Sequence, residues 1–169
     1  GKLTAVGHES WSGDLPGGGP ETAVAQTRLL YAGENRMTAM RLAVLDLPEG
    51  NSMRAPGEAS GMMALEIAVD EMAEKLGLDP VEFRILNDTQ VDPEHPERPF
   101  SQRHLVECLR TGAERFGWSK RQAQPGRMRD GRFLIGIGVA AAFRNNLLTK
   151  SAARVRLDGG GKVTVETDM

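Results

Sequence analysis

Apolar residues recur at helical spacing most clearly between Ala59 and Leu76, where Met62, Leu65, Val69, Met72 and Leu76 fall on one stripe with Glu66, Asp70, Glu74 and Lys75 between them. This predicts a helix over 59–76 whose acidic residues form a solvated face. Gly77 is placed to cap its end. Asp79-Pro-Val-Glu82 then opens a second helix: an acidic N-cap, proline at the first helical position and a glutamate three residues after the cap answer the free amides. It is expected to run to about Asn87, with Phe83 and Leu86 inward. A third stripe, Leu105, Cys108, Leu109, Gly112 and Phe116, predicts a helix capped by Ser101 and closed by Gly117.

Strand patterns flank the helices. Residues 1–12 read as a strand, Gly13 to Pro20 as a surface loop, and Met40 to Leu45 as a second strand leading through Pro48 and Gly50 to a turn at Arg54. Between them 23–33 is weakly patterned, with Leu29, Leu30 and Tyr31 the buried positions. Val91 to Pro99 holds three prolines, which excludes a helix or a central strand and leaves an extended surface excursion. A basic connection over 119–131 follows. Phe133 to Phe143 is a continuous apolar run rich in small residues, read as a buried strand, and 151–157 and 162–167 alternate around a hairpin turn at Asp158 to Gly161. Strands, helices, then strands give an α+β arrangement: a mixed or antiparallel sheet with two to three helices packed on one face. The 169 residues are read as a single unit, with a strand and loop region (1–50), a turn and helices (51–117), and a connection with C-terminal strands (118–169). Both ends fall in strand-like sequence, so the chain is expected to be an internal piece of a longer polypeptide.

Composition narrows the chemistry. A formal charge of -2 argues against a nucleic-acid footprint or an anionic membrane surface, and no apolar run is long enough to span a bilayer. The single Cys108 excludes an intramolecular disulfide, and no Cys/His cluster has metal-ligand spacing. His8, His95 and His104 have no partner by spacing, and Cys108 on an apolar stripe reads as an inert buried thiol. No complete catalytic constellation is present. Arg54 stands apart: Pro56 fixes its own φ and favours extended geometry at Ala55, while Gly57 permits a close approach or a positive φ. An arginine on so stiff a turn either meets an anion or an oxygen-rich cofactor, or ties a loop carbonyl or Glu58.

The run Leu47-Pro-Glu-Gly-Asn-Ser-Met-Arg-Ala-Pro-Gly-Glu58, the Met/Ala-rich helix after it, Arg84-Ile-Leu-Asn87, Phe100-Ser101 and the closing Thr167-Asp-Met169 come in a telling order. From about Tyr31 onward the chain resembles the large, molybdopterin-binding subunit of the xanthine dehydrogenase and aldehyde oxidase family, nearest its bacterial aldehyde dehydrogenase branch. The resemblance implies a molybdenum–molybdopterin cofactor in its cytosine dinucleotide form, faced by Ser52, Met53 and Arg54. It implies a substrate side lined by Ala141, Ala142 and Phe143. Where purine-oxidising members place two stacking aromatics, this chain has Pro56 and Val139-Ala-Ala-Ala142, which favours an aldehyde over a purine. The implied partners are the rest of the subunit and iron–sulfur and FAD subunits, in bacterial cytoplasm or periplasm. The family's catalytic glutamate and most of its dinucleotide-binding segments are expected outside this chain, so the chain alone is expected to be inactive and to retain no cofactor. The rival expectation is a non-catalytic scaffold or subunit-interaction module.

Overall fold

The structure, a computed structural model, describes residues 1–144 and 150–167. Its longest strands, β1 (Ala5–Asp14) and β2 (Asn35–Val44), pair in parallel from Ala5 opposite Asn35 to Asp14 opposite Val44. A parallel pair needs a crossover, and residues 15–34 supply it with a short helix, α1 (Thr27–Leu30). Beyond the Arg54 turn come α2 (Glu58–Leu76), α3 (Pro80–Leu86) and α4 (Leu105–Phe116). A small antiparallel hairpin, β3 (Val91–Asp92) with β4 (His95–Pro99), separates α3 from α4. Two more antiparallel pairs follow, β5 (Arg129–Asp130) with β6 (Phe133–Leu134), and β7 (Ala153–Leu157) with β8 (Val163–Thr167). The class is α+β as expected, and among the described residues the strands form four separate two-stranded sheets.

The caps fall where the side-chain chemistry put them. Asp79 Oδ1 accepts the amides of Val81 and Glu82 ahead of Pro80, and Gly77 and Gly117 close α2 and α4 in the left-handed region. The third helix differs: it begins at Leu105 after His104, without a side-chain cap, so Ser101 is not its cap. The turn joining β7 and β8 lies at Asp158 to Gly161 as expected, with Asp158 N–H bonding Lys162 O. Asp168 and Met169 of the closing motif lie outside the described residues.

The core gathers Leu30 and Tyr31 from the crossover, Leu65, Val69 and Ala73 from α2, Phe83 from α3, and Ala141. The stripe of α2 is therefore rotated from its predicted line. Met72 and Leu76 are exposed, Ala73 is fully buried, and Glu66, expected in solvent, is only 5% exposed. Leu86 likewise faces outward. The reason lies in two residues whose charges pair with each other. Arg84, with no exposed surface, donates from Nε to Glu66 Oε2 at 2.8 Å, so the two helices turn these residues towards each other. Asn87 completes this face: its side chain accepts Leu3 N–H and donates to Gly1 O and Phe83 O, fastening the N-terminal segment to α3.

The predicted buried strand over 133–143 is the main correction. Only Phe133 and Leu134 are strand, and Phe133, Leu134 and Ile135 are exposed. No strand pairs with residues 136–144 among those described, and an unpaired extended segment cannot bury both faces. Ala141 alone reaches the core.

Candidate functional site

The turn at Arg54 is built against the crossover. Gly57 and Gly61, one helical turn apart, sit so close to the backbone of Thr22 and Ala23 that a Cβ at either would overlap it. Gly57 N–H donates to Glu21 Oε1 at 2.8 Å, and Gln26 Nε2 to Glu58 Oε1 at 3.0 Å. These contacts seat the head of α2. Ala55, expected extended before Pro56, instead has φ 47°, the one non-glycine residue with positive φ among the described residues. Its carbonyl accepts the Ala59 amide at 3.1 Å, so the chain must fold back at Ala55 to begin the helix. Such a conformation costs an alanine about 1–2 kcal/mol, and strain of this kind concentrates at functional turns.

Ser52, Met53 and Arg54 are exposed, Met53 at 89%. With Asn51, Pro56 and the Gly19–Thr22 stretch they line a polar cleft of about 490 Å³. The backbone amides of Ser52 to Ala55 and the Arg54 guanidinium have no partner among the described residues. The two acids bordering the cleft are already engaged. Asp14 Oδ1 accepts Gly50 N–H at 3.0 Å and Leu15 N–H at 2.8 Å, and these bonds, Gly50's first, hold its carboxyl below the usual carboxylate range. Glu21 takes the Gly57 amide. What remains free is a donor set of amides, a hydroxyl and a guanidinium, which suits an anionic or oxygen-rich group. The reading in which Arg54 merely pairs with Glu58 is not what the structure holds: Glu58 accepts from Gln26 and lies 3.8 Å from Arg144.

A second, more apolar cleft of about 620 Å³ runs between α4 and residues 138–144. Ala141, Ala142 and Phe143 line it, opposite Cys108, Leu109 and Phe116. Cys108 is exposed, contrary to the buried thiol expected: on its stripe Leu109 is buried and Leu105 packs against the core, while Cys108 faces the cleft. Phe143 stands 5.9 Å from the Phe100 ring, and the Arg103 guanidinium lies over both rings. Arg103 is held in turn by Asp88 at 2.8 Å and by the carbonyls of Leu29 and Leu30. The structure thus brings Ser52, Met53 and Arg54 together in one cleft and Ala141, Ala142 and Phe143 in another. No cleft among those described contains both sets.

Behind Ala141 of the second cleft lies a polar node that sequence reasoning missed. Glu66 Oε1 accepts the Tyr31 hydroxyl at 2.6 Å, and Oε2 accepts Arg84 Nε at 2.8 Å and the Ala141 amide at 2.6 Å. Arg84 also lies 2.7 Å from Asp70 Oδ1, outside hydrogen-bond alignment, so that contact is Coulombic. Burial, reinforced by the Glu66 carboxylate, pushes the Tyr31 hydroxyl far above its usual range. Burial opposes the Arg84 charge, but Glu66 and then Tyr31 and Asp70 more than offset it and hold the guanidinium protonated. The available signal was Arg84 on the inward side of a short helix, one residue from Phe83. A buried arginine demands an acid, and α2 is the nearest source of one. His8, read as partnerless, has Thr27 Oγ1 at 2.7 Å from Nδ1, and burial lowers its pKa.

The glycine-seated helix head, with its free amides and arginine, packs against the crossover that joins the parallel strand pair, an arrangement that matches a known cofactor-binding class. Residues 1–88 match the molybdopterin cofactor-binding domain family, and the chain belongs to that family. Over 169 residues, all of this chain and 23% of the relative, it is 72% identical to the aldehyde oxidoreductase molybdenum-binding subunit PaoC of Escherichia coli. It is 29% identical over 158 residues, 89% of this chain and 20% of the relative, to the xanthine dehydrogenase molybdenum-binding subunit of Escherichia coli. Its fold is similar to the crystal structure of the aldehyde oxidoreductase from Desulfovibrio desulfuricans, with a TM-score of 0.71 at 22% identity over 98% of this chain and 19% of that one. The family expected from the Arg54 turn and the Arg84-Ile-Leu-Asn87 motif is borne out. The chain spans under a quarter of the length of the curated relatives it matches.

Proposed function

We propose that this chain supplies one wall of the active site of a molybdenum-dependent oxidoreductase that converts aldehydes to carboxylic acids. The observation that carries the reading is the Ala55 turn: a strained φ of 47° holding the unbonded amides of Ser52 to Ala55 beside a free Arg54 at the head of α2. Those donors fit the phosphate and oxo oxygens of a molybdenum–molybdopterin group, which when bound supplies two-electron oxidation with oxygen drawn from water. Ser52 and the amides orient by hydrogen bonding, and the Arg54 fork adds fixed positive charge without needing to reorganise. Ala141, Ala142 and Phe143 are the substrate side; the small side chains of Ala141 and Ala142 leave room for an aldehyde, and Pro56 and Val139-Ala-Ala-Ala142 stand where purine-oxidising members of the family place their stacking rings. The 72% identity to an aldehyde oxidoreductase subunit over the whole chain supports the aldehyde. The cytosine dinucleotide form of the cofactor, and iron–sulfur and FAD subunits that carry electrons away, are part of the same proposal and rest on the resemblance.

The test is Arg54→Ala in the complete subunit with its partners. Molybdenum content or aldehyde turnover is expected to fall by about tenfold or more, the scale of a lost preorganised donor. Wild-type metal content and turnover together would remove Arg54 from the cofactor site. The separation of the two clefts favours a second reading, a non-catalytic scaffold that docks on other parts of the assembly. That reading predicts unchanged turnover in Arg54→Ala with weakened subunit assembly.

A further inference from the structure

Residues 136–144 belong to no sheet among those described, and side chains of α2 fasten this segment where a neighbouring strand would. The Ala141 amide donates to Glu66 Oε2 at 2.6 Å, and the Phe143 amide meets Met62 Sδ at 3.3 Å. Two residues along an extended chain advance about 6.6 Å, and four residues along a helix rise about 6.0 Å. The two contacts, two residues apart on the segment and four apart on α2, are therefore matched in spacing, with the segment antiparallel to the helix there. The two rungs are unequal, because a carboxylate accepts a charge-assisted bond and a thioether sulfur accepts only weakly. The Glu66 rung is also rigid. Tyr31 holds one oxygen and Arg84 the other, so the carboxylate cannot follow the segment if it shifts. Ala140 and Ala142, on either side of the anchored residue, are exposed.

We propose that Glu66 is a positioning residue for the substrate side of the site: through the Ala141 amide it sets where Ala141, Ala142 and Phe143 stand against an aldehyde. The inference rests on the reading of those residues as the substrate wall. Glu66 touches neither substrate nor cofactor, and it acts on how well bulky aldehydes fit.

The experiment uses the complete subunit with its partners, loaded with cofactor. Glu66→Leu combined with Arg84→Met removes the acceptor and the cation it would strand, a replacement that buried ion pairs tolerate. Glu66→Gln keeps one oxygen able to accept the Ala141 amide. Two properties are read: amide hydrogen exchange over residues 136–144, and KM and kcat for an aromatic and a small aliphatic aldehyde. In the double variant, exchange at Ala141 is expected to quicken about tenfold or more and KM for the aromatic aldehyde to rise about tenfold, with kcat within about twofold. Glu66→Gln is expected to restore both. Unchanged exchange and KM in the folded double variant would overturn the anchor. Faster exchange with unchanged KM would keep the anchor but sink its role towards substrate. Ala142→Leu, which leaves Glu66 untouched, tests the wall alone: an unchanged KM for the aromatic aldehyde overturns that reading and the proposal with it. Should the double variant not fold, the wild type decides, since an Ala141 amide exchanging like an unprotected peptide overturns the anchor.

Discussion

The two charged residues that matter most in this chain, Arg54 and Glu66, belong to one turn-and-helix unit and are treated in opposite ways. Glu66 lies in the middle of α2 at 5% exposure with both oxygens bonded, whereas Arg54 stands before the helix, exposed and without a partner among the described residues. A buried charge is tolerable only when its neighbours satisfy it, and once satisfied it becomes a fixed point of the fold. An exposed, unpaired charge contributes little to the fold, which is why we assign Arg54 to a ligand. One helix thus carries both kinds of group: its middle ties Tyr31, Arg84 and Ala141 together, and its head leaves donors unbonded.

That contrast can be broken most forcefully at its buried end. Arg84→Met strands Glu66, and denaturant unfolding of the complete subunit should show a loss of about 3–5 kcal/mol in the region containing it; a loss under 1 kcal/mol would mean the node is solvated. Next comes the seat of the helix head. A Cβ at position 61 overlaps the Ala23 carbonyl, so Gly61→Ala should lower stability by about 1–3 kcal/mol through displacement of α2 from the crossover.

The exposed end should answer differently. Ala55→Gly relieves the positive φ and should raise stability by about 0.5–1 kcal/mol, while loosening the turn enough to lower molybdenum content; a destabilised but fully loaded variant would contradict the picture of stored strain. Arg54→Ala should change stability by less than about 0.5 kcal/mol, and thermal unfolding before cofactor loading would show it. The smallest effect concerns pH. Burial lowers the pKa of His8 below its usual 6.5, so its neutral form is favoured in the fold. The stability this contributes is fully present above about pH 6.5 and is lost as pH falls through the lower folded value. In His8→Gln the acid side of the stability profile should be slightly flatter, and an unchanged profile would place the acid sensitivity elsewhere.

Much of the local architecture was legible before the structure. Asp79 with Pro80, Gly77, Gly117 and the Asp158 to Gly161 turn act through a few neighbouring backbone groups, so their outcome depends on nearby sequence alone. The order Arg54 turn, helix, Arg84-Ile-Leu-Asn87 was likewise enough to point to the molybdopterin-binding family, because a motif survives as sequence even where its geometry is hidden. Periodicity placed α2 within a residue of its start, yet it could not say which side of that helix would be dry. Glu66 has the composition of a solvated face, and only the arrival of Arg84 from α3 and Tyr31 from the crossover makes burying it tolerable. The run from Phe133 to Phe143 failed for the converse reason. Its apolar residues are those of a buried strand, but a strand is defined by its neighbour, and beyond Phe133 and Leu134, which pair with β5, no strand among the described residues lies beside it. The Asp79, Gly77 and Gly117 caps, the Asp158 to Gly161 turn and the family are thus properties of contiguous residues, whereas the Ser101 cap and the extended Ala55 expected on the same grounds were overridden by packing. Which charges are buried, and whether an apolar segment finds a partner, depend on residues far apart in the chain, and only the tertiary structure decides them.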